Sequence, residues 1–200
     1  MIGGTTLTAL FFMLDLQFIT IGLALLTLFT AFFFRDPDRN LVAEQNAVLT
    51  PADGKILAIR SLETGDNRSG DKAIKISIFM SVFNAHINRI PIAGKISRLA
   101  YHPGRFFSAN LDKASLHNEN NVVTLETDNQ KSIILVQIAG LIARRIACWV
   151  NTGDYVYTGQ RFGLIRFGSR LEIYLPPDTA VSVSVGQKVK AGQTVLGYLR

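Results

Sequence analysis

The sequence predicts a mainly β domain behind an apolar N-terminal segment. Three observations carry the prediction. Short β-branched runs recur beyond residue 40, glycines separate them at turn spacing, and the first 34 residues hold no Lys or Arg and one acid, Asp15. Short apolar runs between glycine turns read as strands, because branched side chains pack on a pleated surface and glycine opens the backbone to tight turns.

The first element is apolar. Phe18 to Phe34 are 17 residues without a charge, the lower limit for crossing about 30 Å of hydrocarbon. The run extends back to about Leu7 if Asp15 and Gln17 are tolerated. Residues 1–34 therefore read as a membrane anchor, either one tilted helix or a hairpin turning near Asp15-Leu16-Gln17. A signal peptide fits less well, since no basic region precedes the run and no clear small-x-small site follows it. Phe29 and Phe32-Phe33-Phe34, followed by Arg35, suit an exit at a membrane interface.

Arg35-Asp36-Pro37-Asp38-Arg39-Asn40 is a polar break containing a proline, and residues 35–200 read as one β domain. All 21 basic residues lie beyond position 34, against 14 acids, a formal +7. Such a domain is drawn to an anionic membrane. Positive charge beside the anchor argues for the cytoplasmic face of the cell membrane. The basic residues are scattered, with no arm or stripe, which argues against nucleic acid as a partner. Cys148 is the only cysteine, so there is no intrachain disulfide and no zinc cluster, and no metal is expected. It reads as a small buried apolar residue.

Strands are expected at Ala73–Phe79, Asn121–Thr127, Ser132–Ile138, Arg170–Tyr174 and Thr179–Val185, while Leu141–Trp149 fits helix or strand. An internal echo organises the C-terminal part. Gly153-Asp154-Tyr155-Val156-Tyr157-Thr158-Gly159-Gln160 and Gly186-Gln187-Lys188-Val189-Lys190-Ala191-Gly192-Gln193 both read G-x-x-V-x-x-G-Q. Two copies are too few for a solenoid, and point to pseudo-symmetry within one β domain. Glycine turns of this kind, with Pro51-Ala52-Asp53-Gly54-Lys55-Ile56 ahead of them, resemble barrel-sandwich hybrid domains, the architecture of lipoyl and biotinyl carriers.

The chemistry-bearing candidate is Gly168-Ser169, within Arg166-Phe167-Gly168-Ser169-Arg170. Alone, a Gly-Ser pair is most often a turn. Its company here includes Phe33-Phe34-Arg35-Asp36-Pro37, Pro51-Ala52-Asp53-Gly54-Lys55-Ile56 and Asn84-Ala85-His86-Ile87-Asn88-Arg89-Ile90-Pro91. In this order and spacing the four motifs resemble the phosphatidylserine decarboxylase family in its short form, from about Phe32 to the C-terminus.

The resemblance implies self-cleavage between Gly168 and Ser169. The Ser169 hydroxyl attacks the Gly168 carbonyl, an ester forms by N-to-O acyl shift, and β-elimination and hydrolysis leave a pyruvoyl cap on residue 169. The hydroxyl is a weak nucleophile and needs a base. Glycine at 168 suits the strain and crowding of the attack, having no Cβ. The products are a large chain, 1–168, holding a small one, 169–200. The pyruvoyl group replaces pyridoxal phosphate as the electron sink, and nothing in the sequence specifically suggests a pyridoxal phosphate site.

The resemblance further implies that an Asp-His-Ser set drives maturation, and Asp53 matches its aspartate. On residues alone Asp53 is also a turn former. His86 matches the first histidine of the family's H-x-x-H-x-P pattern, the one linked to decarboxylation. Arg89 stands where the second, self-cleaving histidine belongs. Arg89 stays protonated and cannot serve as a base, but can pair with a phosphate or carboxylate. His102 reads as a turn residue or a substrate contact ahead of the family's substrate segment, Arg105–Asn110, and His117 is a weaker candidate. Asn118-Glu119-Asn120-Asn121 resembles the family's N-E-R-N element, so Glu119 either positions the reacting end or lies in a surface loop. Arg144 and Arg145, in an apolar run, call for an anion: the substrate phosphate or a carboxylate across the fold. Phe106-Phe107 line an acyl channel or pack in the core. A homodimer is implied by the family alone.

The expected activity is conversion of phosphatidylserine to phosphatidylethanolamine and carbon dioxide. A non-catalytic carrier module shares the glycine turns but needs a lysine at the hairpin where this chain has Gly168-Ser169. A pyruvoyl enzyme acting on another amino-acid lipid is the remaining alternative.

Overall fold

Strands form where branched apolar residues alternate with polar ones, and the domain is mainly β. The computed structural model describes residues 3–7, 16–41, 44–64, 70–141, 145–166 and 168–200. The chain divides into two compact units, residues 1–37 and 38–200.

The first unit contains helix α1, Gln17–Phe33. The hydroxyls of Thr20, Thr27 and Thr30 bond back to the carbonyls of Leu16, Leu23 and Leu26, which hides the polar groups of an apolar helix. Phe18, Ile21, Leu25 and Leu28 are exposed on it. Among the described residues no helix is long and apolar enough to cross a membrane.

The second unit holds fourteen described strands: β1 Ala47–Leu49, β2 Gly54–Leu62, β3 Ala73–Met80, β4 Ile87–Arg89, β5 Gly94–His102, β6 Asn120–Thr127, β7 Ser132–Ile138, β8 Ile146–Cys148, β9 Tyr155–Val156, β10 Arg161–Ile165, β11 Ser169–Leu175, β12 Ala180–Val181, β13 Lys188–Val189 and β14 Val195–Tyr198. A short helix, α2, spans Asp112–His117. Eight strands form one sheet in the order β13-β2-β3-β11-β7-β6-β5-β9. Two three-stranded sheets, β1-β14-β12 and β4-β10-β8, complete the fold. Of the expected strand at 179–185, the pair Ala180–Val181 is strand. Val183 is buried without belonging to a strand, so the alternation there records packing rather than a ladder. In the ambiguous segment 141–149, Ile146–Cys148 is strand and residues 142–144 lie outside the described residues.

The large sheet is palindromic about the β11/β7 boundary. Val189 pairs with Gly54 and Val156 with Gly94. β2 and β5 have equal lengths, and each carries a register shift after its first isoleucine, between Ile56 and Ala58 and between Ile96 and Arg98. Both begin with P-x-x-G-K-I, as Pro51–Ile56 and Pro91–Ile96. The two glycine turns bond to them alike. Gly186 N–H donates to Ile56 O and Ile56 N–H to Gln187 O, while Gly153 N–H donates to Ile96 O and Ile96 N–H to Asp154 O. The sequence echo is therefore half of a repeat whose other half is P-x-x-G-K-I.

One face of the sheet carries the main core, with Ile76, Ile78, Met80, Leu135, Leu171 and Ile173 fully buried. Ala73, Ile134, Val136, Ile138 and Tyr174 pack on the other. Successive residues of a strand point to opposite faces, which places Ser169 on the core face with Leu171, and Arg170 and Glu172 on the far face.

Candidate active site

Ser169 opens β11 opposite Met80, at the end of β3. It is fully buried, and its Oγ has no hydrogen-bond partner among the described residues. A buried hydroxyl without a partner is costly, and here it sits on the bond expected to break. Gly168 has φ of 63°, the left-handed region that favours glycine. A Cβ on Gly168 would meet nothing within 4 Å. Backbone conformation thus favours glycine here, as the expected strain requires, while the space around its Cα is open. The crowding falls on Gly140, where a Cβ would collide with the Gly168 carbonyl oxygen. Phe167 lies outside the described residues.

Asp53 immediately precedes β2. Lys55 pairs with Phe79 and Met80 with Ser169, so Asp53-Gly54 and Gly168-Ser169 flank the same end of β3. The Asp53 carboxylate accepts two hydrogen bonds from Arg39 Nη2, at 2.9 and 2.7 Å, and one from the Ala191 N–H at 2.7 Å. His86 is fully buried in the turn leaving that same end. Asn84 shapes the turn by accepting the Ser81 N–H at 2.9 Å and its hydroxyl at 2.8 Å. His86 Nδ1 lies 2.9 Å from the Asn84 carbonyl. A carbonyl only accepts, so Nδ1 carries a proton, and Nε2 is the nitrogen left to exchange one. Arg89, in the place of the family's second histidine, is buried and donates from Nη1 to the Gly159 carbonyl at 3.1 Å, in the second glycine turn.

Glu119 shares the Ser169 row. Arg170 pairs with Ile138, which sets Ala139 beside Ser169, and the Ala139 N–H donates to the Glu119 carbonyl at 2.9 Å. Ser169 and Glu119 therefore stand two strand spacings apart, about 9–10 Å, on one face. Small Ala139 lies between them. Tyr101 joins Glu119: its phenol is pushed up, first by desolvation, then by its hydrogen bond to Glu119 and that carboxylate's charge.

The remaining candidates separate from this cluster. The register puts His102 on the far face of the sheet, in a recess with Arg98, Ala100, Val122 and Thr124. His117 is exposed, with an edge contact to Phe107, and Phe106 and Phe107 are half-buried. Arg145 is exposed, so it has no need of a buried counter-ion, and Arg144 lies outside the described residues. The asparagines of the N-E-x-N element are structural. Asn118 bonds Phe107 through both its amide groups and also donates to Ala139 O, and Asn120 donates to Asn118 O.

Three site features escape the sequence reading. Asn121 Nδ2 donates to Gln137 Oε1 at 3.0 Å, Gln137 Nε2 to Asn88 Oδ1 at 2.9 Å, and Asn88 Nδ2 meets Met80 Sδ at 3.6 Å. This buried amide chain ends on the register partner of Ser169. Its signal is Gln137, a polar residue at an inward position of an apolar strand. Arg39 and Gly140 are the other two. Nothing local in the sequence distinguishes Gly140, because its constraint comes from a distant carbonyl.

A family model described as phosphatidylserine decarboxylase matches residues 26–197. The chain belongs to that family. A phosphatidylserine decarboxylase proenzyme of Desulfotalea psychrophila is 50% identical over 185 residues, covering 92% of this chain and 86% of its own length. The proenzyme of Syntrophus aciditrophicus is 49% identical over 195 residues, 98% of this chain and 91% of its own length. That of Cupriavidus metallidurans is 49% identical over 176 residues, 88% and 80% respectively.

Proposed function

We propose that this family member is a self-processing decarboxylase that converts phosphatidylserine to phosphatidylethanolamine and carbon dioxide. The observation that carries the reading is a buried, unpartnered Ser169 hydroxyl directly after a glycine in the left-handed conformation, in a chain half identical to named proenzymes. Cleavage between Gly168 and Ser169 gives chains 1–168 and 169–200. The small chain stays in place because β11 pairs with β3 and β7, β13 with β2, and β14 with β1.

The residues around the break fit a pyruvoyl group. Apolar Met80 and small Ala139 flank residue 169 in the strand register. Once formed, that group supplies an electrophilic carbonyl that takes up the electrons released as carbon dioxide leaves. His86 Nε2 takes the proton of the Ser169 hydroxyl as Oγ attacks the Gly168 carbonyl. The tetrahedral centre collapses with cleavage of the C–N bond to the ester, the amine nitrogen of residue 169 receiving the proton. Asp53, held by Arg39, sets negative charge beside this centre. Glu119 and Tyr101 border the space where the substrate headgroup sits, with Arg89 as a further anion partner. His102 and Arg145 contribute at most from the margin.

Exposed Phe83, Leu111, Leu116 and Leu141 lie in segments next to Met80, Arg170 and Gly140, and support approach of a lipid. Residues 1–34 anchor the protein, as one helix or a hairpin, and the basic domain, built as a barrel-sandwich hybrid, lies on the cytoplasmic side of the cell membrane. The family homodimer belongs to the same proposal.

The test is the intact mass of purified full-length protein beside Ser169→Ala. Wild type gives two chains split after Gly168, the small one about 17 Da lighter than a serine start, as exchange of the amine for a carbonyl requires. It decarboxylates phosphatidylserine in mixed micelles, and Ser169→Ala does neither. An uncut wild-type chain with full activity overturns the reading.

A further inference from the structure

Directly behind the reacting residue, on the far face of β11, lies a buried ionic cluster that catalysis does not use. Glu172 is fully buried and Arg170 nearly so. Arg170 Nη2 lies 2.8 Å from Glu172 Oε1 and donates to Ser77 Oγ at 2.9 Å. Ser77 Oγ also reaches Glu172 Oε1 at 3.2 Å, and Lys75 Nζ lies 3.7 Å from the same oxygen. Glu172 Oε2 accepts from Ser115 Oγ of α2 at 2.9 Å and from Tyr174 Oη at 3.1 Å. Arg170 Nη1 reaches the Leu111 carbonyl at 3.5 Å.

Buried ion pairs are poor sources of net stability, and their best-attested role is to fix a register. The division of partners matters here. Arg170, Glu172 and Tyr174 belong to residues 169–200, while Lys75, Ser77, Leu111 and Ser115 belong to residues 1–168. Before cleavage β11 cannot slide, because residues 166–168 tie it to β10. After cleavage residue 169 is a chain end, and chain ends fray. The apolar inner face resists a one-residue slip, which would turn Leu171 and Ile173 out of the core. It does not resist a two-residue slip, which keeps the faces and moves residue 169 by about 6.6 Å. Apolar contact is non-directional, whereas the cluster is satisfied in one register alone.

We propose that Arg170 and Glu172 are positioning residues that hold the reactive end of the small chain in register after self-cleavage, and that Ser115 ties helix α2 to the same point. This rests on the cleavage reading above.

The experiment compares Glu172→Gln in two backgrounds, the self-cleaving chain and uncut Ser169→Ala, by hydrogen exchange of the peptide spanning residues 169–176. The uncut pair exchanges alike. In cut protein Glu172→Gln exchanges at least tenfold faster there than the cut parent, its small chain has the parent's mass, and kcat falls more than KM rises. Equal loss of protection in cut and uncut protein makes the cluster an ordinary stabilising contact and overturns the proposal. So does unchanged protection in cut protein. Should Glu172→Gln remain uncut, Ser115→Ala, which removes one hydrogen bond, replaces it in the same comparison. A parent chain that is not cut sinks the cleavage reading instead, a separate outcome.

Discussion

The two ends of the palindromic sheet have the same construction and different contents. At one end, Pro51–Ile56 meets the turn Gly186–Gln193, and at the other Pro91–Ile96 meets Gly153–Gln160. Each end has its valine opposite its glycine and its register shift after the isoleucine. Beyond this shared frame they diverge. β3 ends opposite Ser169, which follows a left-handed glycine. The corresponding strand β6 ends in a tight hairpin, closed by the Thr127 N–H donating to the Lys131 carbonyl. Asp53 at the first end is Ala93 at the second. Ala93 holds the equivalent place in P-x-x-G-K-I with no carboxylate. The contact of Asp53 with Arg39 and its bond to Ala191 belong to what is particular to the end that holds Gly168-Ser169.

The largest expected effect breaks that asymmetry. Asp53→Asn keeps the shape and the turn but removes the charge, and slows self-cleavage by at least about 100-fold, the scale of lost electrostatic stabilisation at a reacting site. Ala93→Asp, at the equivalent place, leaves the cleavage rate within about twofold. Intact-mass time courses on freshly purified protein read both. Comparable slowing by the two substitutions would mean that the carboxylate acts through general folding, and that the ends differ less than their contents suggest.

This comparison also marks how far the sequence was legible. Four of the five expected strands are strands over nearly their full length, because their alternation is set by burial on a sheet. The G-x-x-V-x-x-G-Q echo was legible because positive φ demands glycine, and Gly153, Gly159, Gly186 and Gly192 all have it. The P-x-x-G-K-I half was hidden by its variable positions, where Asp53 faces Ala93. Motif resemblance singles out Ser169, Asp53 and His86, and the fold sets them at one end of β3. Arg39, Gly140 and the amide chain through Gln137 were not legible, because each is defined by a partner far away in sequence. In the apolar run around Arg144-Arg145, Arg145 is exposed in the fold.

A smaller effect sharpens the equivalence of the frame. A Cβ on Gly54 would collide with the Phe79 carbonyl, and one on Gly94 with the Glu126 carbonyl. Backbone cannot yield as a side chain does, so Gly54→Ala and Gly94→Ala each cost about 2–3 kcal/mol, as overpacked sites do. Denaturant melts in the uncut Ser169→Ala background measure this without interference from cleavage. In the self-cleaving background Gly54→Ala also slows maturation, since it moves the strand end beside Ser169. Gly94→Ala does not, beyond its cost in stability.

The smallest effect asks whether the frame remains equivalent once the chain is cut. Val156 and Val189 are buried opposite Gly94 and Gly54. Truncating either to alanine removes two methyl groups, about 1.5–2 kcal/mol with little relaxation. In uncut protein Val156→Ala and Val189→Ala have matching costs, both valines being packed in the main core. Cleavage then separates them. Val189 lies on the small chain and helps to hold it, whereas Val156 lies wholly within the large chain. Val189→Ala therefore makes the melting temperature of cut protein depend on protein concentration, as a dissociating pair of chains must, while Val156→Ala leaves that dependence at the parent's level. Equal concentration dependence in both would mean that β11 alone retains the small chain, and that the glycine turn at the cleaved end is a relic of the repeat rather than a clamp.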